Sequence, residues 1–161
     1  MTLPSSGTIS MAQVNVEIGH GSNAVISLGE SAVRTLAGVP SGPVSLSQLY
    51  GKSSYTPMSG TGVDGLTEGV AAGVQYTDSC YPYVTVSGGS GGYTFAWTFI
   101  TANGSTLVNP TSSNPTVRHS IGKFGYTGTS TLQCVITDST SHQITVSPVN
   151  ATFSIEDGSG I

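Results

Sequence analysis

The sequence predicts a mainly β protein: a C-terminal antiparallel β-sandwich preceded by a small N-terminal module of short capped helices and loops. Three observations lead there. Three stretches before residue 54 repeat one another as helix starts. After Ala71 the hydrophobic period changes from helical to two. Roughly seven short alternating runs with turn signals between them then follow, the pattern of a sandwich.

The repeated helix starts are Ile9-Ser10-Met11-Ala12-Gln13, Ile26-Ser27-Leu28-Gly29-Glu30 and Val44-Ser45-Leu46-Ser47-Gln48, with serines 17 and 18 residues apart. Each has the form of a capping box: the Ser side chain takes the N3 backbone N–H, and the Gln or Glu reaches back to the N-cap N–H. The expected caps are therefore Ser10 with Gln13, Ser27 with Glu30, and Ser45 with Gln48. Ile9 with Val14 and Val44 with Leu49 have the spacing of hydrophobic staples. Helix one is predicted at residues 11–18, stopping at Gly19. Helix two is predicted at 28–37, with Leu28, Ala32, Val33 and Leu36 on one face; Gly38 and Pro40 end it. Helix three is barely a turn, 46–50, ending at Gly51.

Helices this short do not stand alone. The expectation is that the module seats its apolar residues against a partner or against copies of itself. Leu3, Ile9, Met11, Leu28, Val33, Leu36, Val44, Leu46, Leu49 and Tyr50 are the expected docking and oligomer interface.

Residues 55–71 are rich in Ser, Gly and Thr, with Pro57, and are predicted to be a linker between the module (1–54) and the sandwich (72–157), with a tail at 158–161. Within the sandwich, alternation marks strands at 83–86, 93–99, 107–108, 116–119, 131–137, 143–146 and 152–155. Asn103-Gly104 is a tight-turn signal. The predicted core is Val84, Val86, Phe95, Trp97, Leu132, Cys134 and Ile136. The aromatics Tyr81, Tyr83, Tyr93, Phe95, Trp97 and Phe99 cluster on neighbouring strands, and Tyr93, Phe95, Trp97 and Phe99 share one face. A sugar-stacking platform would instead need two such rings exposed side by side.

Charged residues make up only 7% of the chain, against ~25% for a typical soluble domain, and the net charge is −4. Four basic residues cannot build a phosphate-binding surface, which argues against nucleic acid. No segment approaches the ~20 apolar residues of a membrane span, so no membrane insertion is expected. The opening, Met1-Thr2-Leu3-Pro4-Ser5-Ser6-Gly7, has neither a basic nor an apolar signal region. The expectation is a chain made in the cytoplasm that leaves it, if at all, inside a particle released by lysis. Asn103-Gly104-Ser105 and Asn150-Ala151-Thr152 match the glycosylation pattern, which has no weight without a secretory route.

Little in the sequence points to catalysis, a metal or another cofactor, and none is expected. His20, His119 and His142 lack metal-pair spacing. The eight acids, Glu17, Glu30, Asp64, Glu68, Asp78, Asp138, Glu156 and Asp157, are scattered, without the paired carboxylates of a glycosidase. Calcium at a sandwich end would use Asp78 or Asp138, but no oxygen cage accompanies them. There is no Gly-x-Ser-x-Gly elbow. The glycine run at 87–92 lacks the Lys of a phosphate loop. Two cysteines, Cys80 and Cys134, are too few for a disulfide scaffold or a zinc site, and in a reducing compartment they are free thiols.

Two resemblances add to this reading. Val84-Thr85-Val86-Ser87-Gly88-Gly89-Ser90-Gly91-Gly92-Tyr93-Thr94-Phe95-Ala96-Trp97 resembles the B and C strands of an immunoglobulin-like domain of the PKD-like type. Thr131-Leu132-Gln133-Cys134-Val135-Ile136-Thr137-Asp138 resembles its F strand. The chain departs from that pattern where Val84 or Val86 stands in place of the B-strand cysteine. Cys80 lies earlier but shares the inward parity of Val84, which leaves a bond to Cys134 open.

Residues 1–54 resemble the opening module of many tailed-phage virion proteins. The matching runs are Leu3-Pro4-Ser5-Ser6-Gly7-Thr8-Ile9-Ser10, Ile26-Ser27-Leu28-Gly29-Glu30-Ser31-Ala32-Val33-Arg34, Ala37-Gly38-Val39-Pro40-Ser41-Gly42 and Leu49-Tyr50-Gly51-Lys52-Ser53. This resemblance implies a non-enzymatic virion structural protein of a bacteriophage, in the tail, neck, fibre or capsid decoration. It would dock through the module as a homo-oligomer, expected to be a trimer, beside other virion proteins. The Ig-like domain would then be displayed for weak adhesion to a cell-surface glycan or as a spacer. The alternative is a bacterial adhesin or carbohydrate-binding module unrelated to a virion.

Overall fold

The computed structural model describes residues 2–71 and 73–158. The chain divides into two compact units, Met1–Thr56 and Pro57–Ile161. The first carries the helices and the second the sheets, so the mainly β fold with a small helical part is as expected. The tail at 158–161 lies outside the described residues except for Gly158.

In the first unit, α1 (Met11–Glu17) starts at the Ser10 capping box. The Gln13 N–H donates to Ser10 Oγ at 3.2 Å, and the Ser10 N–H donates to Gln13 Oε1 at 2.8 Å. A 3-10 helix at Leu46–Leu49 carries the same box, with the Ser45 N–H donating to Gln48 Oε1 at 2.8 Å. Helix α2 (Ser31–Ala37) ends in a Schellman pattern. Gly38 takes φ +74, its N–H donates to Thr35 C=O, and the Val39 N–H donates to Arg34 C=O.

The middle capping box does not form, and α2 begins three residues later than predicted. Ser27 Oγ accepts the Gly29 N–H at 3.2 Å instead, and the Glu30 N–H bonds to Ser27 C=O at 2.9 Å. A local serine turn competes with the first helical turn and prevails, because Gly29 gives that turn little helical preference. Glu30 becomes the N-cap residue without a side-chain bond.

A second correction concerns the greasy surface. Leu3, Ile9, Val14, Val33, Leu36, Ala37, Val44 and Leu49 are all buried together, with Ile18, Ile26, Leu28 and Val39 packed against them. Most residues expected to dock are thus the unit's own core. The short helices are stabilised by packing on one another and need no partner to cover that face.

In the second unit nine strands are described: β1 (Ser59–Val63), β2 (Gly65–Ala71), β3 (Tyr76–Cys80), β4 (Tyr83–Ser87), β5 (Thr94–Thr101), β6 (Thr106–Val108), β7 (Thr116–Ile121), β8 (Tyr126–Thr137) and β9 (Gln143–Asp157). They form three sheets: the pair β1-β4, the three-stranded β3-β7-β6 and the four-stranded β2-β9-β8-β5. β3 and β4 are successive stretches interrupted at Tyr81-Pro82.

The linker expected at 55–71 is mostly sheet. β1 pairs with β4, and β2 with β9. Its glycines serve close packing. A Cβ at Gly60 would lie 2.7 Å from Val146 Cγ2, and one at Gly62 would be closer still to Val149 Cγ2. Glycine lets β1 press onto β9 where any side chain would collide. The sheets are also not wholly antiparallel: β2 runs parallel to β9. The first strand switches sheets at Asp64 without reversing direction. The two runs expected at 143–146 and 152–155 are one strand, β9, and a cis bond at Ser147–Pro148 lies within it.

The core joins Val84, Trp97, Leu132, Cys134 and Ile136 with Val117, Ile121, Val149, Phe153 and others, and Val86, Phe95, Tyr93 and Phe99 pack partly buried against it. The Trp97 indole N–H donates to Ser112 C=O at 2.9 Å. Cys80 and Cys134 are both buried, free thiols, so the bond left open by the sequence is not made. At the Asn103-Gly104 turn both residues take positive φ, as a tight hairpin turn requires.

Candidate docking and display surfaces

The first unit is closed at its own ends. The Leu3 N–H donates to Lys52 C=O and the Gly51 N–H to Pro4 C=O, each at 2.9 Å. The Tyr50 hydroxyl donates to Gly7 C=O. Of the expected interface, Leu3, Ile9, Val33, Leu36, Val44 and Leu49 are buried, and Met11 and Leu28 are half-buried. Only Leu46 and Tyr50 remain exposed, at 38% and 39%. Val16 and Val25, which the sequence reading missed, are exposed as well. A groove of about 420 Å³ runs along α2, lined by Ile18, Ala32, Thr35, Leu36, Ser53 and Ser54.

Glu17 was also missed. It falls on the buried side of α1, three residues from Val14, and is 3% exposed. The Ser54 N–H donates to Glu17 Oε1 at 2.7 Å and the Ser53 hydroxyl does so at 3.1 Å. Burial pushes its carboxyl up; the hydrogen bonds, the Ser54 N–H first, bring it below its ordinary value. The carboxylate thus fixes the unit's last residues to α1. An acid at core spacing on a predicted helix was the signal available. Asn15 is buried likewise, and its Nδ2 donates to Ala24 C=O at 2.7 Å and to Ser22 C=O at 3.2 Å, holding the loop after α1.

In the sandwich, none of Tyr93, Phe95, Trp97 and Phe99 forms an exposed platform; all belong to or pack on the core. The exposed aromatics are Tyr81 (58%), Tyr83 (41%) and Phe124 (62%). Tyr81 and Tyr83 flank the buried Pro82 and lie two residues apart.

The histidines separate. His20 is exposed, with Nε2 3.9 Å from Glu30 Oε1. His142 sits in the turn before β9. His119 is 8% exposed and stacks on Tyr126 at 3.8 Å between ring centroids. Its Nδ1 lies 3.0 Å from Ser105 Oγ, and Ser130 Oγ lies 2.8 Å from Ser105 Oγ and 2.7 Å from Ala102 C=O. Burial pushes the His119 imidazole below its ordinary pKa. A serine at hydrogen-bond distance from a histidine invites a nucleophile reading. Here both are buried and the chain of hydroxyls ends on a carbonyl, which is how buried polar groups are satisfied in a core. The inward parity of Val117 and His119 was legible in β7; the long-range partner Ser105 was not.

Asp138, one of the two acids considered for calcium at a sandwich end, instead gathers main-chain and hydroxyl donors of the adjoining loops. It accepts from the N–H groups of Ser90, Thr140 and His142 and from the Thr140 hydroxyl, at 2.9–3.0 Å. Burial pushes its carboxyl up, but these donors prevail and hold it at about 2. Among the described residues no cluster of three or more His, Cys, Asp or Glu is placed to hold a metal ion.

No protein-family model matches this chain. No curated protein matches it either. Among solved structures it is similar to a nucleoside hydrolase-related hypothetical protein from Saccharophagus degradans that is associated with carbohydrate metabolism. The identity is 9% and the TM-score 0.35, over 58% of this chain and 22% of that one. The chain thus spans about a fifth of that protein's length.

Proposed function

We propose that this chain is a non-enzymatic structural protein of a tailed-phage virion, docked through residues 1–56 and displaying its Ig-like domain. One observation carries the reading furthest. The runs that open and close the phage-like segment, Leu3 to Ser10 and Leu49 to Ser53, are the strands of chain that bond to each other. A segment closed on itself in this way, with its own core, suits a module that is attached unchanged to different displayed domains.

The core also changes how docking would work. Leu36 and Leu49 are spent inside the unit, so the contact falls to Val16, Val25, Leu46, Tyr50 and the groove along α2. The case for a trimer built on a coreless module loses its physical ground. Attachment to another virion protein is the better supported partner. The experiment is proteomics and immunogold labelling of gradient-purified particles made from the genome that encodes this chain. The chain is expected at fixed stoichiometry in the particles; its absence from them would defeat the reading.

A second reading, weak glycan adhesion, is favoured by the exposed pair Tyr81 and Tyr83. Tyrosine presents an apolar ring with a polar tip, the combination that stacks on sugars while staying wet. Binding on a glycan array that is lost in the double variant Tyr81→Ala/Tyr83→Ala would support it.

A further inference from the structure

The four-stranded sheet has two edges, β2 and β5. The edge at β5 is tied at one point, where the Trp97 N–H donates to Pro110 C=O at 2.8 Å. The edge at β2 is different. Among the described residues, the main-chain hydrogen bonds outside helices and strands include none on Gly65–Ala71. Its outward row is Leu66, Glu68 and Val70, all exposed, with Leu66 at 60% and Val70 at 55%. The strand has no Lys, no Pro and no bulge, and Glu68 is its one charged guard. Glu156 of β9 stands opposite Val70 in register. Glu68, Gly69, Val70, Ser154 and Glu156 line a depression of about 430 Å³.

We propose that β2 is a strand-addition site for an extended segment of a partner protein whose outward row reads apolar, basic, apolar. Main-chain bonds along this edge would hold the added strand, and the side-chain row would select it. The acids choose the occupant. Two copies of β2 paired antiparallel about Glu68 would set carboxylate against carboxylate, and like charges directly opposite destabilise a strand pair. The chain's own four basic residues offer no substitute: Arg34 is in α2, Arg118 is in the central strand β7, Lys52 follows the 3-10 helix of the first unit and Lys123 is in a turn. Self-pairing in that register is disfavoured, so the occupant proposed is a segment of a different protein. The site is independent of the docking proposal for residues 1–56.

The test needs no particle. The full chain, labelled for NMR, is titrated with the heptapeptide TVTKTVT, with TVTETVT, and with TVTKTVT N-methylated at alternate residues. Saturable amide shifts confined to 65–71 and 152–156 are expected. The Lys peptide should bind about threefold more tightly than the Glu peptide, the substitution Glu68→Lys should reverse that order, and N-methylation should abolish binding. Glu68 is exposed, so the variant's remaining amide spectrum should match the parent and report an intact fold. Absence of shifts up to several millimolar peptide, shifts centred elsewhere, or an unchanged order in Glu68→Lys overturns the proposal.

Discussion

Asp64 holds Asn150 twice: its Oδ1 accepts the Asn150 main-chain N–H at 2.7 Å, and its Oδ2 accepts from Asn150 Nδ2 at 3.2 Å. Asp64 is the single residue between β1 and β2, where the first strand changes sheets. The carboxylate thus fixes that crossover to β9. Replacing it by Ala should cost about 1 kcal/mol, the low end for a charge-assisted bond because the pair is exposed. Amide exchange should speed up in 64–71 and 150–152 before anywhere else in the sandwich. Uniform acceleration, or none, would count against the tie.

The glycines of β1 give a second prediction. Gly62→Val should destabilise the sandwich by about 1–3 kcal/mol, since the added carbons meet Val149 and Val146. Gly7→Ala, at a site with open space around it but φ +87, should show only local backbone strain of about 1 kcal/mol in the first unit. Chemical denaturation of each variant checks both. A flexible linker at 59–63 would tolerate Gly62→Val without loss.

Caps should separate by position. Ser10→Ala removes an acceptor that the Gln13 N–H uses and should cost the first unit about 1 kcal/mol. Ser27→Ala removes only a turn bond to Gly29 and should cost a few tenths. Equal effects would mean that the middle capping box forms after all.

That contrast shows what the sequence could and could not carry. Ser10 and Ser45 were legible because a capping box is settled within four residues. Ser27 has the same pattern, but Gly29 lies inside it, and a competing turn took the serine. The strands at 83–86, 93–99 and 131–137 were legible from period two. β1 and β2 were not, because Gly60, Gly62 and Gly65 are set by what approaches them from β9 and β3, and composition alone reads them as flexible. The sequence also showed Leu36, Val44 and Leu49 to be apolar without showing that they cover one another. Ser105 and His119 needed the sheet to bring them together.

His119 gives a pH dependence whose sign is fixed. Burial lowers its folded pKa below the ordinary value of 6.5. The unfolded chain therefore binds the proton more readily, and the stability due to neutral His119 is complete above about pH 6.5 and lost as pH falls below it. His119→Gln should flatten the stability profile between pH 7 and 5. Asp138 acts in a lower window: its pKa falls from 3.8 to about 2 on folding. Its contribution is complete above about pH 4 and disappears toward pH 2, and Asp138→Asn should remove that acid limb alone. Urea unfolding at stepped pH separates the two groups.

The thiols should be silent in the native chain. Burial pushes Cys80 up and Cys134 up to about 11, and both side chains are enclosed. Ellman's reagent should label neither until denaturant is added, then both at once. Rapid labelling of one thiol in native buffer would show that its end of the sandwich opens.

The central claim is that residues 1–56 are a self-closed module sufficient for seating in a virion. The most direct measurement compares particles carrying the full chain, residues 57–161 alone, and residues 1–56 fused to a reporter. The account predicts incorporation of the full chain and of the reporter fusion at equal copy number, and none of residues 57–161. Normal incorporation of residues 57–161 would contradict it.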